Sequence, residues 1–351
     1  MEKKYYGLYI NIKNRILNGE YRAGEKLPSK RVMAEMTGYS IITVQTAYGM
    51  LADEGYVEAR ERSGYFVLPL IGVVTKNKNI YESSVIYAPE DEDEAAVEFE
   101  YSVWFKTVRR VMADDGKKLF VKAPSKGCAV LRNAIADYLW RYRGMAVDAN
   151  RIIIGSGAEQ LYEIAVKILG RDKIFGIEDP CYERIPQVYE EMGVKVKRLK
   201  MGSDGIEDDC LNDDGFDILH VTPFHSYPSG VTATIQKRYK YLSWVKKERY
   251  VIEDDFDSEF FLPGQPIESL YSLDGGNSVI YMNTFSKSLS PAIRLGYMIL
   301  PEGLLKIYNE KLGNFSCTVP VMEQHVLAEF IKEGDFERHL NRTRRRKKSM
   351  F

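Results

Sequence analysis

Apolar residues in the first part of the chain recur at helical spacing and are cut into short segments by glycine. Leu8, Ile12, Ile16 and Leu17 share one face of a helix predicted over residues 5–18, which Gly19 ends. Residues 24–28, Gly-Glu-Lys-Leu-Pro, read as a turn. Ser29 then caps a helix over 30–37 that stops at Gly38, and Ser40 caps another over 41–54 that stops at Gly55. Residues 56–60 and 65–68, joined by Glu61-Arg-Ser-Gly64, predict a short hairpin with a basic tip. Helix, helix, tight turn, helix and hairpin make a winged helix-turn-helix plan. Further along, apolar strands are predicted at 152–154, 173–177, 216–222, from Tyr250, and at 279–282. Helices are predicted at 105–112 and 129–142, from the Gly155-Ser-Gly-Ala turn to Leu169, and at 322–333, resuming at Gly334.

Between these two patterns the chain changes character. Residues 90–94 are five acids in a row, so 71–101 reads as a solvated, flexible tether between a reader at 1–70 and a larger domain at 102–351. The total of 351 residues supports two or three domains. With 49 Lys and Arg against 50 Asp and Glu the net charge is −1, so no global field draws nucleic acid and any such contact is local. Cys128, Cys181, Cys210 and Cys317 are scattered without a CxxC or Cys/His pairing, which suggests neither a zinc site nor a disulfide framework. Reduced thiols and a cytoplasmic location follow as the default. No apolar run is long enough for a signal peptide or a membrane span.

Two stretches carry candidate chemistry. After the 279–282 strand, residues 283–290 form a small-residue polar loop holding Lys287 among the hydroxyls of Thr284, Ser286, Ser288 and Ser290, with Arg294 seven residues beyond the lysine. Hydroxyls, a cation and loop amides suit a phosphate, and a lysine kept partly unprotonated there can form a Schiff base. Alone, the lysine reads equally as a solvated loop residue. The second stretch is Tyr250-Val-Ile-Glu-Asp-Asp-Phe-Asp-Ser258, a strand running into four carboxylates. They would repel one another unless a cation or a protonated ring neutralises one, so a metal site, a solvated acidic turn or a pyridinium partner would each explain them. The turn before Ala158 offers helix-start amides at Gly157 and Ala158 to a phosphate.

Together the Asp-Asp and Ser-Lys segments resemble fold-type I pyridoxal-phosphate enzymes. The resemblance implies an α/β fold with a mixed, mostly parallel sheet flanked by helices. It also implies a bound pyridoxal 5'-phosphate: Asp254 on the ring nitrogen, Lys287 as the Schiff-base lysine, Thr284, Ser286 and Arg294 on the phosphate, and Tyr182 stacked on the ring. The N-terminal pattern Leu27-Pro-Ser-Lys-Arg31, Thr43-Val, Ala47-Tyr, Leu51-Ala-Asp-Glu-Gly-Tyr56 and Ser63-Gly-Tyr-Phe-Val67 resembles the GntR family of bacterial regulators. In that plan Ser29, Lys30 and Arg31 suit phosphates, while Ser40, Thr43 and Gln45 open the recognition helix toward base edges. Arg62, Ser63 and Gly64 form the wing tip. The combination is similar to the MocR type within that family.

Several positions depart from the resemblance. Ile41, followed by Ile42, stands where the family places an arginine. Residues 1–70 hold ten Lys and Arg against eight Asp and Glu, so tight DNA binding is expected to need a homodimer. Phe256 replaces a tyrosine that donates to the cofactor's phenolic oxygen. His225 is a candidate for that duty, because Tyr227-Pro-Ser-Gly230 lacks the asparagine common in aminotransferases. The run 342–348 carries six cations in seven positions, read as a solvated helix face. The family's C-terminal subdomain, with its carboxylate clamp, is not seen beyond it. The implied function is a transcriptional regulator that binds a double-stranded operator and senses pyridoxal phosphate, with an amine or amino acid as effector, without physiological turnover. The rivals are an aminotransferase with an N-terminal helical cap and a cofactor-free repressor.

Overall fold

The computed structural model describes residues 4–61, 63–69, 99, 101–246, 248–260 and 268–350, with side chains through 346. It divides into two compact units, Met1–Glu92 and Asp93–Phe351. Arg62 and the acidic run at 90–94 lie outside the described residues.

The first unit packs α1 (Lys4–Leu17), α2 (Lys30–Thr37) and α3 (Ile41–Asp53) against a hairpin of β1 (Val57–Arg60) and β2 (Gly64–Val67). Leu8, Ile12 and Ile16 of the expected helical face enter its core with Met33, Val44, Tyr48 and Leu51, whereas Leu17 is only half-buried and stays outside it. Both serine caps form: Ser29 Oγ accepts from the Val32 amide at 3.3 Å and Ser40 Oγ from the Thr43 amide at 3.1 Å. The left-handed φ of +69° that ends α2 is why glycine stands at 38. The 24–28 segment is more than a turn. The Leu27 amide donates to the Tyr65 carbonyl at 2.9 Å, and Gly24 and Glu25 bond Val67, so this segment runs along β2 through an isolated bridge at Lys26–Phe66. Tyr48 locks it, its hydroxyl donating to the Pro28 carbonyl at 2.9 Å.

In the second unit come α4 (Tyr101–Asp115), α5 (Ala129–Arg143), β3 (Ile152–Gly155), α6 (Ala158–Leu169), β4 (Ile174–Asp179), α7 (Arg184–Glu191), β5 (Lys195–Gly202) and β6 (Gly205–Ile206). There follow α8 (Asp208–Leu211), β7 (Ile218–Val221), α9 (Ile235–Trp244), β8 (Tyr250–Asp254), α10 (Leu270–Asp274), β9 (Val279–Thr284) and β10 (Gly296–Ile299). The chain then forms α11 (Glu302–Leu312), α12 (Val321–Lys332) and α13 (Asp335–Met350). The sheet order is β3-β10-β9-β8-β7-β4-β5-β6. The run from β9 to β5 is parallel, whereas β10 is antiparallel to both of its neighbours. The central parallel strands β4, β7, β8 and β9 are buried on both faces, which is why they read as apolar runs, whereas β5 is mostly unburied and carries four cations.

Three expectations shift here. Phe99 and Tyr101 leave the tether: Phe99 is buried in the second unit's core and Tyr101 starts α4. Asn283 and Thr284 belong to β9, not to the loop after it. The basic end of α13 is not wholly solvated, since Arg344 Nε donates to the Glu259 carbonyl at 2.5 Å and Thr343 is buried.

Candidate cofactor site

Ligands of doubly wound sheets sit beyond the carboxyl ends of the parallel strands. Here β8 ends in the carboxylate cluster and β9 runs into the Lys287 loop, side by side through the Asp254–Met282 register. Each acid has its own partners. Glu253 accepts from the Leu270 and Tyr271 amides at 2.8 and 2.9 Å. Asp254 accepts from the Tyr162 hydroxyl, and its Oδ2 lies 3.7 Å from His220 Nε2. Asp255 pairs with Arg143 Nη2 at 2.9 Å and takes the Tyr281 hydroxyl at 2.7 Å. Asp257 bridges Lys287 Nζ at 3.0 Å and His225 Nδ1 at 3.2 Å. The repulsion expected of four adjacent acids is thus relieved chiefly by side chains arriving from α5, α6 and the β9 loop.

Burial shapes the electrostatics. Desolvation pushes the Glu253 carboxyl up to about 7, with the Asp255 charge adding to it, and Glu259 rises to about 7 for the same two reasons. Glu178, on β4 beneath the site, is pushed up to about 8 by burial although the Ser226 hydroxyl donates to it at 2.5 Å. Burial opposes the charge on Arg143, but Asp255, Tyr281 and Glu259 more than offset it and its pKa stands above the ordinary value.

The anion cup lies at the start of α6. Gly157 holds φ +96° and caps the helix without a side chain, leaving the first amides of α6 without a cap acceptor. A Cβ at Gly157 would stand 2.9 Å from Arg294 Nη2, so the guanidinium closes directly on the turn. Arg294 also pairs with Glu159 at 3.3 Å, and the Ser286 hydroxyl donates to the Ile293 carbonyl at 3.2 Å. Thr284 is the last residue of β9, opposite Gly296. Tyr182, half exposed, meets Tyr227 edge-on at 6.3 Å. His225 takes a left-handed φ of +48°, which turns its ring toward Asp257.

These residues fit pyridoxal phosphate on the structure's own terms. A side-chain-free turn faces a guanidinium, an amine sits by a carboxylate at the strand ends, and the buried His220 Nε2 behind Asp254 has no hydrogen-bond partner. Among the described residues no cluster of metal-ligating side chains occurs, and no helix is long and apolar enough to cross a membrane.

Sequence reasoning missed Tyr162, Arg143, Tyr281, His220 and the role of Asp257. Only His220 leaves a trace, as a lone polar residue inside the apolar strand Ile218-Leu-His-Val221. In the first unit, Lys30 Nζ reaches Gln45 Oε1 at 3.4 Å, Ser40 and Thr43 hydroxyls meet at 2.9 Å, and the Ser63 amide donates to the Arg60 carbonyl at 3.0 Å. Gly64, at φ +117°, packs against Lys26, and Arg31 starts α2 beside Lys30.

A winged helix-turn-helix followed by an aminotransferase scaffold defines a class of transcriptional regulators, and comparison with known proteins places the chain within it. Residues 4–67 match the bacterial regulatory proteins of the gntR family, and residues 94–351 match aminotransferase class I and II. The HTH-type transcriptional regulator YdeL of Bacillus subtilis is 34% identical over 97% of this chain and 76% of its own length. The probable rhizopine catabolism regulatory protein MocR of Rhizobium meliloti is 29% identical over 96% of this chain and 73% of its own. Among solved structures, the α-aminoadipate aminotransferase LysN of Thermus thermophilus, complexed with N-(5'-phosphopyridoxyl)-L-leucine, superposes with TM-score 0.63 and 26% identity. That match covers 70% of this chain and 64% of LysN. The chain thus spans about three quarters of these regulators and under two thirds of the aminotransferase. It belongs to the MocR-type regulators of the GntR family.

Proposed function

We propose that this regulator binds double-stranded DNA as a homodimer and adjusts that binding to the occupancy of a pyridoxal 5'-phosphate site in its second unit. The observation that carries the reading is the convergence at the ends of β8 and β9. There Lys287 stands ion-paired to Asp257 at 3.0 Å, Asp254 is braced by Tyr162, and Arg294 closes on the Gly157 turn. Pyridoxal phosphate, when bound, supplies an aldehyde open to covalent uptake by an amine. Lys287 would provide that amine and Asp257 would hold it in place. Asp254 would face the ring nitrogen, with the Tyr162 hydroxyl fixing the carboxylate and His220 lying behind it. Arg294, Ser286, Thr284 and the amides at Gly157 and Ala158 would take the phosphate, Tyr182 would cover the ring, and His225 would stand near its phenolic oxygen. An amine or amino acid that competes with Lys287 for the aldehyde would act as the effector. The coupling is reciprocal: whatever pyridoxal phosphate does to operator affinity, operator does to pyridoxal phosphate affinity. A regulator working on DNA in this way would act in the cytoplasm.

The test is a titration of the full chain onto its operator duplex with and without pyridoxal phosphate. Wild type shifts its affinity for DNA when the aldehyde is added, and Lys287→Ala, which still binds DNA, loses the shift. An equal shift in both proteins removes Lys287 from the reading.

A further inference from the structure

We infer that the recognition helix reads A·T pairs in the major groove, with Gln45 taking adenine and Ile42, flanked by Ile41, packing on thymine methyl groups. This rests on the DNA-binding reading above and names what that surface recognises. Val44, Ala47, Tyr48 and Leu51 turn one face of α3 into the core of the first unit. The opposite face carries Ile42, Gln45 and Thr46, all exposed, at the i, i+3 and i+4 spacing that puts them side by side. Ile42 is 77% exposed and Ile41 46%, in the first turn of the helix. Two neighbouring isoleucines open to water in the first turn of the helix offer an apolar contact to a partner.

The partner's chemistry follows from what the helix lacks. From Ile41 to Asp53 there is no lysine and no arginine. The strong contact to guanine, a bidentate cation on O6 and N7, therefore has no donor on the helix itself. What remains matches an A·T pair. The Gln45 amide can donate to N7 and accept from N6 of adenine, and an isoleucine side chain suits the thymine 5-methyl. Lys30, reaching Gln45 Oε1 at 3.4 Å, limits the amide's freedom and leaves the second lone pair of that oxygen open. Phosphate attraction is supplied outside the helix by Lys30 and Arg31 at the start of α2, beside the Ser29 cap.

The experiment selects duplexes from a randomised pool with the full chain, then re-measures binding of the enriched duplex with thymines replaced one at a time by deoxyuridine, which lacks only the methyl. Enriched half-sites carry A·T pairs, and at the contacted thymines removal of a methyl weakens binding about fourfold. Ile42→Ala, a change on an exposed face, removes that fourfold penalty, Gln45→Ala loses the preference for adenine, and Ile41→Arg enriches guanine. Guanine-rich half-sites for wild type, or no sensitivity to deoxyuridine at any position, overturn the inference while leaving DNA binding intact. A pool from which nothing is retained overturns the inference and the DNA-binding reading together.

Discussion

Replacing Arg143 with leucine tests how the carboxylate cluster at the end of β8 is held. Arg143 Nη2 lies 2.9 Å from Asp255 Oδ2, and both side chains are largely buried. At that separation and an effective dielectric of about 20, the attraction is about 6 kcal/mol before desolvation is subtracted. Removing one partner of a buried pair costs about 3–5 kcal/mol, because the other charge is left without compensation. In Arg143→Leu, Asp255 would face Glu253 and Glu259 with only the Tyr281 hydroxyl donating to it. For a unit of this size 1 kcal/mol moves the melting point by about 2–4 °C, so the transition of the second unit should fall by about 6–20 °C. Arg143→Leu with Asp255→Asn should recover most of the loss, because no buried charge is then left without compensation. Thermal unfolding of both variants followed by circular dichroism measures this. A fall under about 2 °C, or a deficit that persists when Asp255 is also neutralised, would refute the reasoning.

Three further outcomes follow from named contacts. Gly157→Ala places a methyl on a φ of +96°, 2.9 Å from Arg294 Nη2, and should weaken pyridoxal phosphate binding about tenfold without unfolding the chain; an absorbance titration checks it. Glu178 stands at about 8, with Glu253 and Glu259 at about 7, against an ordinary value of 4.5. Their folded-state values are raised, so the folded chain keeps protons that the unfolded chain releases, and their contribution to stability falls as pH climbs from about 4.5 to about 8. Glu178→Gln should flatten that fall, as melting curves between pH 5 and 9 would show. Ser40→Ala removes the acceptor of the Thr43 amide and should cost the first unit about 1 kcal/mol; an unshifted melting transition for that unit would contradict the cap.

Short-range features were the legible ones. Ser29 and Ser40 cap α2 and α3 through amides three residues away, and Gly38 sits where a left-handed residue is required, so those boundaries follow from adjacent residues alone. The acidic strand end and the Ser-Lys loop were equally visible. What could not be read is pairing at a distance. Nothing in Gly296–Ile299 announces a strand inserted antiparallel between β3 and β9, and the 24–28 segment shows a turn composition while its backbone pairs with a strand some forty residues on. Tyr162 reaches Asp254 across 92 residues and Arg143 reaches Asp255 across 112, so the cluster's neutralisation was invisible where the cluster itself was plain. Asp257 was one acid among four until the fold set it between Lys287 and His225.

The account turns on whether Lys287 takes up the aldehyde of pyridoxal phosphate. Incubating the full chain with pyridoxal phosphate, reducing with borohydride and mapping the modified peptide reads this directly. The account predicts one phosphopyridoxyl group per chain, on Lys287, and none on that peptide in Lys287→Ala. Modification spread over surface lysines, or none at 287 while pyridoxal phosphate is in excess, would contradict it.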